Sequence, residues 1–388
     1  MNIVLFDTAH RDLLFPLSLT RPVADLRFGI FTAKERWQLY FSKEVQVLTE
    51  DYLAPKFGKP TDGDTLFINA AWIPSVALKD RLLKLEPGQS IWSGSRLIAG
   101  RTDAKNISHF DRLTKDAFNV AEDVGDKECF IQYPWDLLLI NTKAIADDIS
   151  LLGLINGFQT ISSTNTCINP GHIYIEEGAV VEHCILNATE GPIYIAKNCV
   201  VMEGTMIRGP FAMGEGSILK MGTKVYGATS LGPGCTVGGE IKNVIMQAYS
   251  NKAHDGYLGD SVIGEFCNLG AGTSCSNVKN TAGDIKVWVR AIKNYKLVGN
   301  KCGVFMGDHT RCAINTSINS GTVIGVCNNV FGEGLTPKHI RDFSWGLKEN
   351  LPYNFEKAIS DCNNWMVFKK TSLSANDKKI LKHIYDNR

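Results

Sequence analysis

Counted in steps of six from Ile195, the chain reads Ile195, Val201, Ile207, Met213, Leu219, Val225, Leu231 and Val237, a large aliphatic side chain at every step. Four places after each of these stands Cys199, Thr205, Phe211, Ser217, Thr223, Thr229, Cys235 or Ile241, mostly small residues that suit a tight corner. A helix repeats its apolar face about every 3.6 residues and a half-buried strand every 2, so neither accounts for a period of six. A coil of short strands with one inward residue per hexad does. The same phase is present at Ile175 and Val181, at Ile263 and Leu269, and at Met306, Cys312, Ile318, Ile324 and Val330. The pattern predicts a stack over residues 165–335 in which no coil buries its own apolar face and each is covered by its neighbours.

The flanks differ. Residues 1–150 lack the period; "NIVLF", "TLFINA" and "DLLLINT" read as strands among polar and helical stretches, which predicts an α/β domain. In residues 351–388, "NFEKAISDCNNWMVFKK" and "ANDKKILKHIYDN" space apolar residues three or four apart, so a helical tail is predicted, closing the open prism end or packing between subunits.

Lysine plus arginine (41) nearly balances aspartate plus glutamate (40), so no net field gathers nucleic acid or an anionic membrane, and small molecules are the expected partners. The opening apolar run is short for a secretory signal and no run approaches about 18 apolar residues, so a cytoplasmic protein is expected. The eleven cysteines are odd in number, contain no CxxC pair and fall at small-core positions, as reduced fillers do. His172, His183 and His309 lack the spacing of a zinc site.

The six-residue phase lapses between Asn243 and Tyr257, and again around Cys275 to Asn300. Insertions in a solenoid are expected to leave the prism as loops, where chemistry is usually placed. The first lapse contains "NKAHDGYLGD", with His254 beside a lysine, an aspartate and a tyrosine.

The hexads resemble those of the hexapeptide-repeat acyltransferases, which implies a left-handed parallel β-helix. More specifically, "KAHDGYLGDSVIGEFCNLGAGTSCSN" resembles the acetyltransferase domain of the bifunctional N-acetylglucosamine-1-phosphate uridyltransferase/glucosamine-1-phosphate acetyltransferase family, a likeness covering residues 170–332. "FPLSLTRPVADLRFG" and "YPWDLLLIN" resemble a divergent group of the same two-domain proteins. Acyl transfer to an amine needs a base, because an ammonium cannot attack a thioester, and imidazole titrates in the right range. The resemblance makes His254 that base and gives Glu240 the task of orienting or polarising it. It places Lys224 and Lys242 on a sugar phosphate, Tyr257 and Asn268 on the amino sugar, and Ala271, Asn277 and Asp308 near acetyl-CoA. Lys224 replaces a family arginine, which keeps the charge but loses the bidentate fork, and the family's aromatic after the asparagine is Val278 here. Lys224 and Lys242 are 18 residues apart, one full coil, so their ammonium groups are expected to stack on one face.

In the first domain the resemblance implies nucleotidyl transfer with Mg2+. The glycine-rich phosphate loop is replaced by "FDTAHRDLLFPLSLTRP", which leaves Arg11, Arg21 and Arg27 as candidate phosphate contacts. The usual metal-binding "GD" corresponds to Asn69-Ala70, with Asp136 and Asn141, or Asp7, as candidate metal contacts. The resemblance further implies a homotrimer with the acyl-CoA site between subunits. Three functions stay open: a bifunctional enzyme acetylating glucosamine 1-phosphate and coupling the product to UTP or another nucleoside triphosphate; an acyltransferase with a degenerate first domain; and a non-catalytic β-helix scaffold.

Overall fold

The computed structural model describes residues 1–125, 129–152, 157–347 and 351–388, which form two compact units. The first comprises Met1–Leu14, Thr20–Leu26 and Phe31–Tyr133; the second comprises Phe15–Leu19, Arg27–Ile30 and Pro134–Arg388.

The first unit is a mixed sheet of β1 (Asn2–Phe6), β2 (Gln46–Leu48), β3 (Asp64–Asn69), β4 (Gln89–Ser93), β5 (Arg96–Asp103) and β6 (Val120–Asp123) in the order β2-β1-β3-β5-β4-β6. β1 lies parallel between β2 and β3, with Val4 opposite Phe67, and β5 runs antiparallel to β3 and β4. Consecutive apolar residues in β1 and β3 are buried on both faces, as expected of central parallel strands. Helices α1 (Ala33–Phe41), α2 (Ala54–Phe57) and α3 (Val76–Leu82) connect the strands. α1 opens on a capping box, in which Thr32 accepts from the Glu35 N–H (3.1 Å) and Glu35 accepts from that of Thr32 (2.7 Å).

The second unit is a left-handed parallel β-helix of about 10 turns. Its three faces carry aligned inward columns. On the second face Ile175, Ile195, Met213, Leu231, Met246, Ile263, Met306, Ile324 and Ile340 stack in register, all buried. The first face stacks Leu186, Ile207, Val225, Ile241, Leu258, Cys275 and Ile318. The third stacks Val201, Leu219, Val237 and then Lys252. The small residues between them are buried corners whose hydroxyls cap carbonyls, as Ser217 Oγ does with Gly232 O at 2.9 Å.

Several expectations are corrected. "DLLLINT" is the start of a helix, α4 (Asp136–Leu152), which packs on strands Thr229–Leu231, Glu240–Met246 and Tyr257–Ile263 of the second unit. Its buried residues Leu137, Leu138, Asn141, Ala144, Ile145 and Asp148 fall at helical spacing. The lapse at His254 expels no loop: the coil is shortened, with Thr236 facing Asn251, and Glu240–Met246 and Tyr257–Ile263 run continuously through a corner, pairing on two faces. The second lapse is a true insertion, a hairpin of Ile285–Val289 and Asn294–Gly299. The tail helices α5 (Phe355–Val367) and α6 (Ala375–Asp386) do not merely close the end. Lys369, just past α5, donates to Gly234 O (2.7 Å) and Asn251 Oδ1 (2.8 Å) on the third face, and Cys362 lies 3.8 Å from Cys327.

Candidate functional site

Outward side chains on the first face form a polar row across three coils. Lys224 stands opposite Glu240 and Glu240 opposite Tyr257; in the parallel row Tyr226 stands opposite Lys242 and Lys242 opposite Gly259. The shortened coil slides the register, so Lys224 meets Glu240 rather than Lys242, correcting the predicted stack of two ammonium groups. Lys242 Nζ instead lies 5.7 Å from the Tyr226 ring centroid. Tyr226 donates its O–H to Glu240 Oε1 at 2.6 Å, and this bond, more than burial, pushes the phenol up to about 12. Glu240 therefore orients Tyr226; its backbone N–H meets Gly256 O at 3.2 Å in the turn holding His254.

Tyr257 folds back over Gly259, where an added Cβ would lie 2.5 Å from the phenolic oxygen, which explains glycine in "YLGD". Tyr257 donates to Asn277 Oδ1 (3.3 Å), Asn277 donates in turn to Asp260, and Asn243 Nδ2 holds the other Asp260 oxygen at 2.5 Å. His254 is exposed in the 253–256 corner beside this row. The structure thus gathers Lys224, Glu240, Lys242, Tyr257 and Asn277 on or beside one face, with His254 on its edge.

Other predicted residues fall elsewhere. Asn268 is on the third face, opposite Asn251 and Arg311. Ala271 accepts the Asn315 N–H (2.7 Å) in the turn before the first face, while Asp308 is buried between the second and third faces, accepting the Glu265 N–H at 2.8 Å. Sequence reasoning missed a cavity of about 580 Å³ on the second face, lined by Phe15, Trp288, Lys293, Tyr295, His339 and Arg341 among others. Its signal was the alternation in "IKVWV": Ile285, Val287 and Val289 are buried, which leaves Lys286 and Trp288 on the other side of the hairpin.

In the first unit a cavity of about 250 Å³ opens at the carboxyl ends of β1 and β3, lined by Phe6, Asn69, His10, Arg96 and Phe130. Arg96 lies 4.7 Å over the Phe130 ring, and burial, with Arg96 nearby, pushes His10 down to about 4. The predicted phosphate and metal contacts are not grouped here. Arg11 is buried against Asp7 and Tyr52, Arg21 is buried, and Arg27 belongs to the second unit, where its backbone N–H and C=O bond Gln247 (2.8 and 3.1 Å). Asn141 is wholly buried in the second unit: Oδ1 accepts from Gly29 N–H (2.6 Å) and Ser230 O–H (3.0 Å), and Nδ2 donates to Ala228 O (2.9 Å). No lone pair is left for a cation, which removes the metal role predicted for it. Asp136 opens α4 in the second unit, and Asp7 already accepts from Arg11, Val23 and Thr49. Asn69 spends its amide on Leu97 O and Ala71 N–H. This donor set does not fit magnesium, which wants carboxylate oxygens. Among the described residues no group of three His, Cys, Asp or Glu forms a metal cluster and no helix is long and apolar enough to cross a membrane; Cys184, Cys199, Cys235, Cys267, Cys275, Cys302, Cys312, Cys327 and Cys362 are buried thiols.

A mixed α/β unit is thus followed by a hexapeptide solenoid with a polar outer row. Residues 3–154 match the family described as sugar nucleotidyl transferase. The chain is 36% identical over 92 residues (24% of this chain, 23% of the relative) to a bifunctional sugar-1-phosphate nucleotidylyltransferase/acetyltransferase of Sulfurisphaera tokodaii. It is 31% identical over 202 residues (50% of this chain, 40% of the relative) to the bifunctional protein GlmU of Methanocaldococcus jannaschii. The chain thus matches less than half the length of these curated relatives. The polySia-specific acetyltransferase NeuO aligns over 53% of the chain at 11% identity with a TM-score of 0.25, too low to bear weight. The chain is thus similar, at a divergent level, to proteins described as bifunctional nucleotidyltransferase/acetyltransferases.

Proposed function

We propose that the β-helix transfers an acetyl group from acetyl-CoA to the amine of an amino-sugar 1-phosphate, glucosamine 1-phosphate in the first instance, and that the first unit couples the sugar phosphate to UTP or another nucleoside triphosphate. The observation that carries the acyl-transfer reading is the first-face row itself: two ammonium groups for a phosphate, a phenol and carboxylate for sugar hydroxyls, and an exposed imidazole at the edge. The neutral sugar amine attacks the thioester carbon; His254 takes the proton the nitrogen sheds as the C–N bond forms and passes it to the CoA sulfur as the C–S bond breaks. Lys224 and Lys242 hold the phosphate as point charges.

The cavity on the second face suits the nucleotide end of the acyl donor, with Trp288 for a flat base and Lys293 and Arg341 for phosphates. It lies on a different face from the sugar row, so a complete site needs the second face of one copy against the first face of another, as threefold packing of prisms provides. Light scattering is expected to give a trimer; a monomer with full activity would exclude the shared site. The decisive assay is thiol release from acetyl-CoA with glucosamine 1-phosphate. His254→Ala is expected to lower kcat by about 10²–10⁴-fold, the usual contribution of a general base; an unchanged rate would remove His254 from the chemistry.

The commitment of Asp7, Asn69 and Asn141 to internal bonds favours a second reading, in which the first unit binds nucleotide without turning it over. Pyrophosphate release from UTP and N-acetylglucosamine 1-phosphate separates the two. No step is routed through a metal, because the residues present do not fit one.

A further inference from the structure

In the third inward column, where neighbouring coils place Leu219, Val237 and Leu269, stands Lys252. It is 1% exposed. Its Nζ donates to Gly238 O at 3.2 Å and to His254 O at 2.7 Å. Burial pushes this ammonium down to about 8, against the opposing pull of the exposed Asp255.

An ammonium inside an aliphatic column costs stability, and a hydrophobic residue of similar volume is usually neutral or better at such a place. Filling the prism therefore does not explain lysine; the two carbonyls do. They belong to the two turns that meet at the corner of the shortened coil. At that corner Gly238 and Gly239 leave room for the backbone of the 253–256 turn: a Cβ on Gly238 would lie 2.4 Å from Ala253 O, and one on Gly239 2.9 Å from His254 O. The turn is tied outside by Gly272 N–H to Asp255 O (3.0 Å) and by Glu240 N–H to Gly256 O (3.2 Å). The carbonyl of His254 itself is tied from inside, by Lys252.

We infer that Lys252 is a positioning residue: from within the prism it draws the His254 carbonyl inward and so fixes the imidazole outward on the edge of the sugar row. This rests on the reading of His254 as the base. Lys252→Met fills the column without bonding either carbonyl. Relative to wild type it is expected to melt at the same or a higher temperature and to hold both KM values within about twofold. Its kcat is expected to fall at least about tenfold, since small misplacements of a reacting group are costly. Lys252→Gln, a neutral donor, is expected to keep an intermediate rate.

Independently of turnover, amide exchange at Asp255 and Gly256 in the full-length protein is expected to quicken about tenfold in the Met variant, with the His254 ring resonances broadened or shifted. A Met variant with wild-type kcat and wild-type exchange overturns the inference. So does one that melts lower with unchanged exchange, since the lysine would then be only a plug. If wild type releases no thiol at all, the assignment of His254 fails, and the exchange and ring measurements still decide whether Lys252 fixes the turn.

Discussion

Asp7, at the end of β1, is the sharpest test of how the first unit is built. It is 1% exposed and spends its carboxylate internally: Oδ1 accepts Val23 N–H (2.9 Å), and Oδ2 accepts Thr49 O–H (2.6 Å) and Arg11 Nε–H (3.2 Å). Arg11 is equally buried and further bonded to Tyr52 Oη (3.3 Å). Burial pushes the Asp7 carboxyl up against the pull of Arg11, whereas the guanidinium stays charged throughout the working pH range. Asp7→Asn removes the buried counter-charge of that guanidinium and leaves Asp12, 3.8 Å away and half exposed, as a weaker one, a change worth about 3–5 kcal/mol. A unit of roughly 120 residues unfolds with an entropy near 0.25 kcal/mol/K, so its transition should fall by about 12–20 °C in calorimetry of the full chain. Replacing both charges, as Asp7→Asn with Arg11→Met, should restore at least about half of the loss, because an apolar pair avoids the desolvation cost. A single variant within about 2 °C of wild type would refute the reasoning, as would a double variant no better than the single. A magnesium-dependent rise in Tm that Asp7→Asn abolishes would show the carboxylate to be a cation ligand after all.

Gly259→Ala is expected to displace the Tyr257 phenol while leaving urea stability within about 1 kcal/mol, because the clash is with the far end of a side chain; a several-fold rise in KM for the amino sugar checks it, and an unchanged KM would separate Tyr257 from the sugar. His10, pushed down to about 4, stays neutral in the folded chain while its unfolded counterpart protonates near 6.5, so its contribution is present above about pH 6.5 and lost as pH falls through 4. The loss is at most about 3 kcal/mol, and His10→Gln should flatten the fall in urea midpoint between pH 7 and 4.5; an identical pH profile in the variant would contradict it.

The solenoid was legible because a period of six admits no other regular element, and every residue of the main hexad series is an inward, buried position. The shortened coil was not. Its cause is a close approach of backbone at Gly238 and Gly239, which no spacing rule reports, and with it went the expected pairing of Lys224 and Lys242. "DLLLINT" misled for a different reason: four successive apolar residues obey neither period, and Leu139, which is 76% exposed, belongs to a helix that buries Leu137, Leu138, Ala144, Ile145 and Ile149 instead. That Lys224 and Lys242 share one face was readable from their spacing in the hexads. Asn141 was not, because its role depends on which backbone groups surround it.

Those surroundings bear on how the gene can be cut. Asn141 and Asp148, both wholly buried on α4, clasp the N–H groups of Gly29 and Ile30, and Asn141 also grips Ala228 and Ser230. A fragment beginning at residue 157 would discard this clasp and bare the strands beneath α4, so a soluble stand-alone β-helix should not be obtained by simple N-terminal truncation. Chimeras that exchange the first unit must splice at several places, carrying residues 15–19, 27–30 and 134–152 along with the prism.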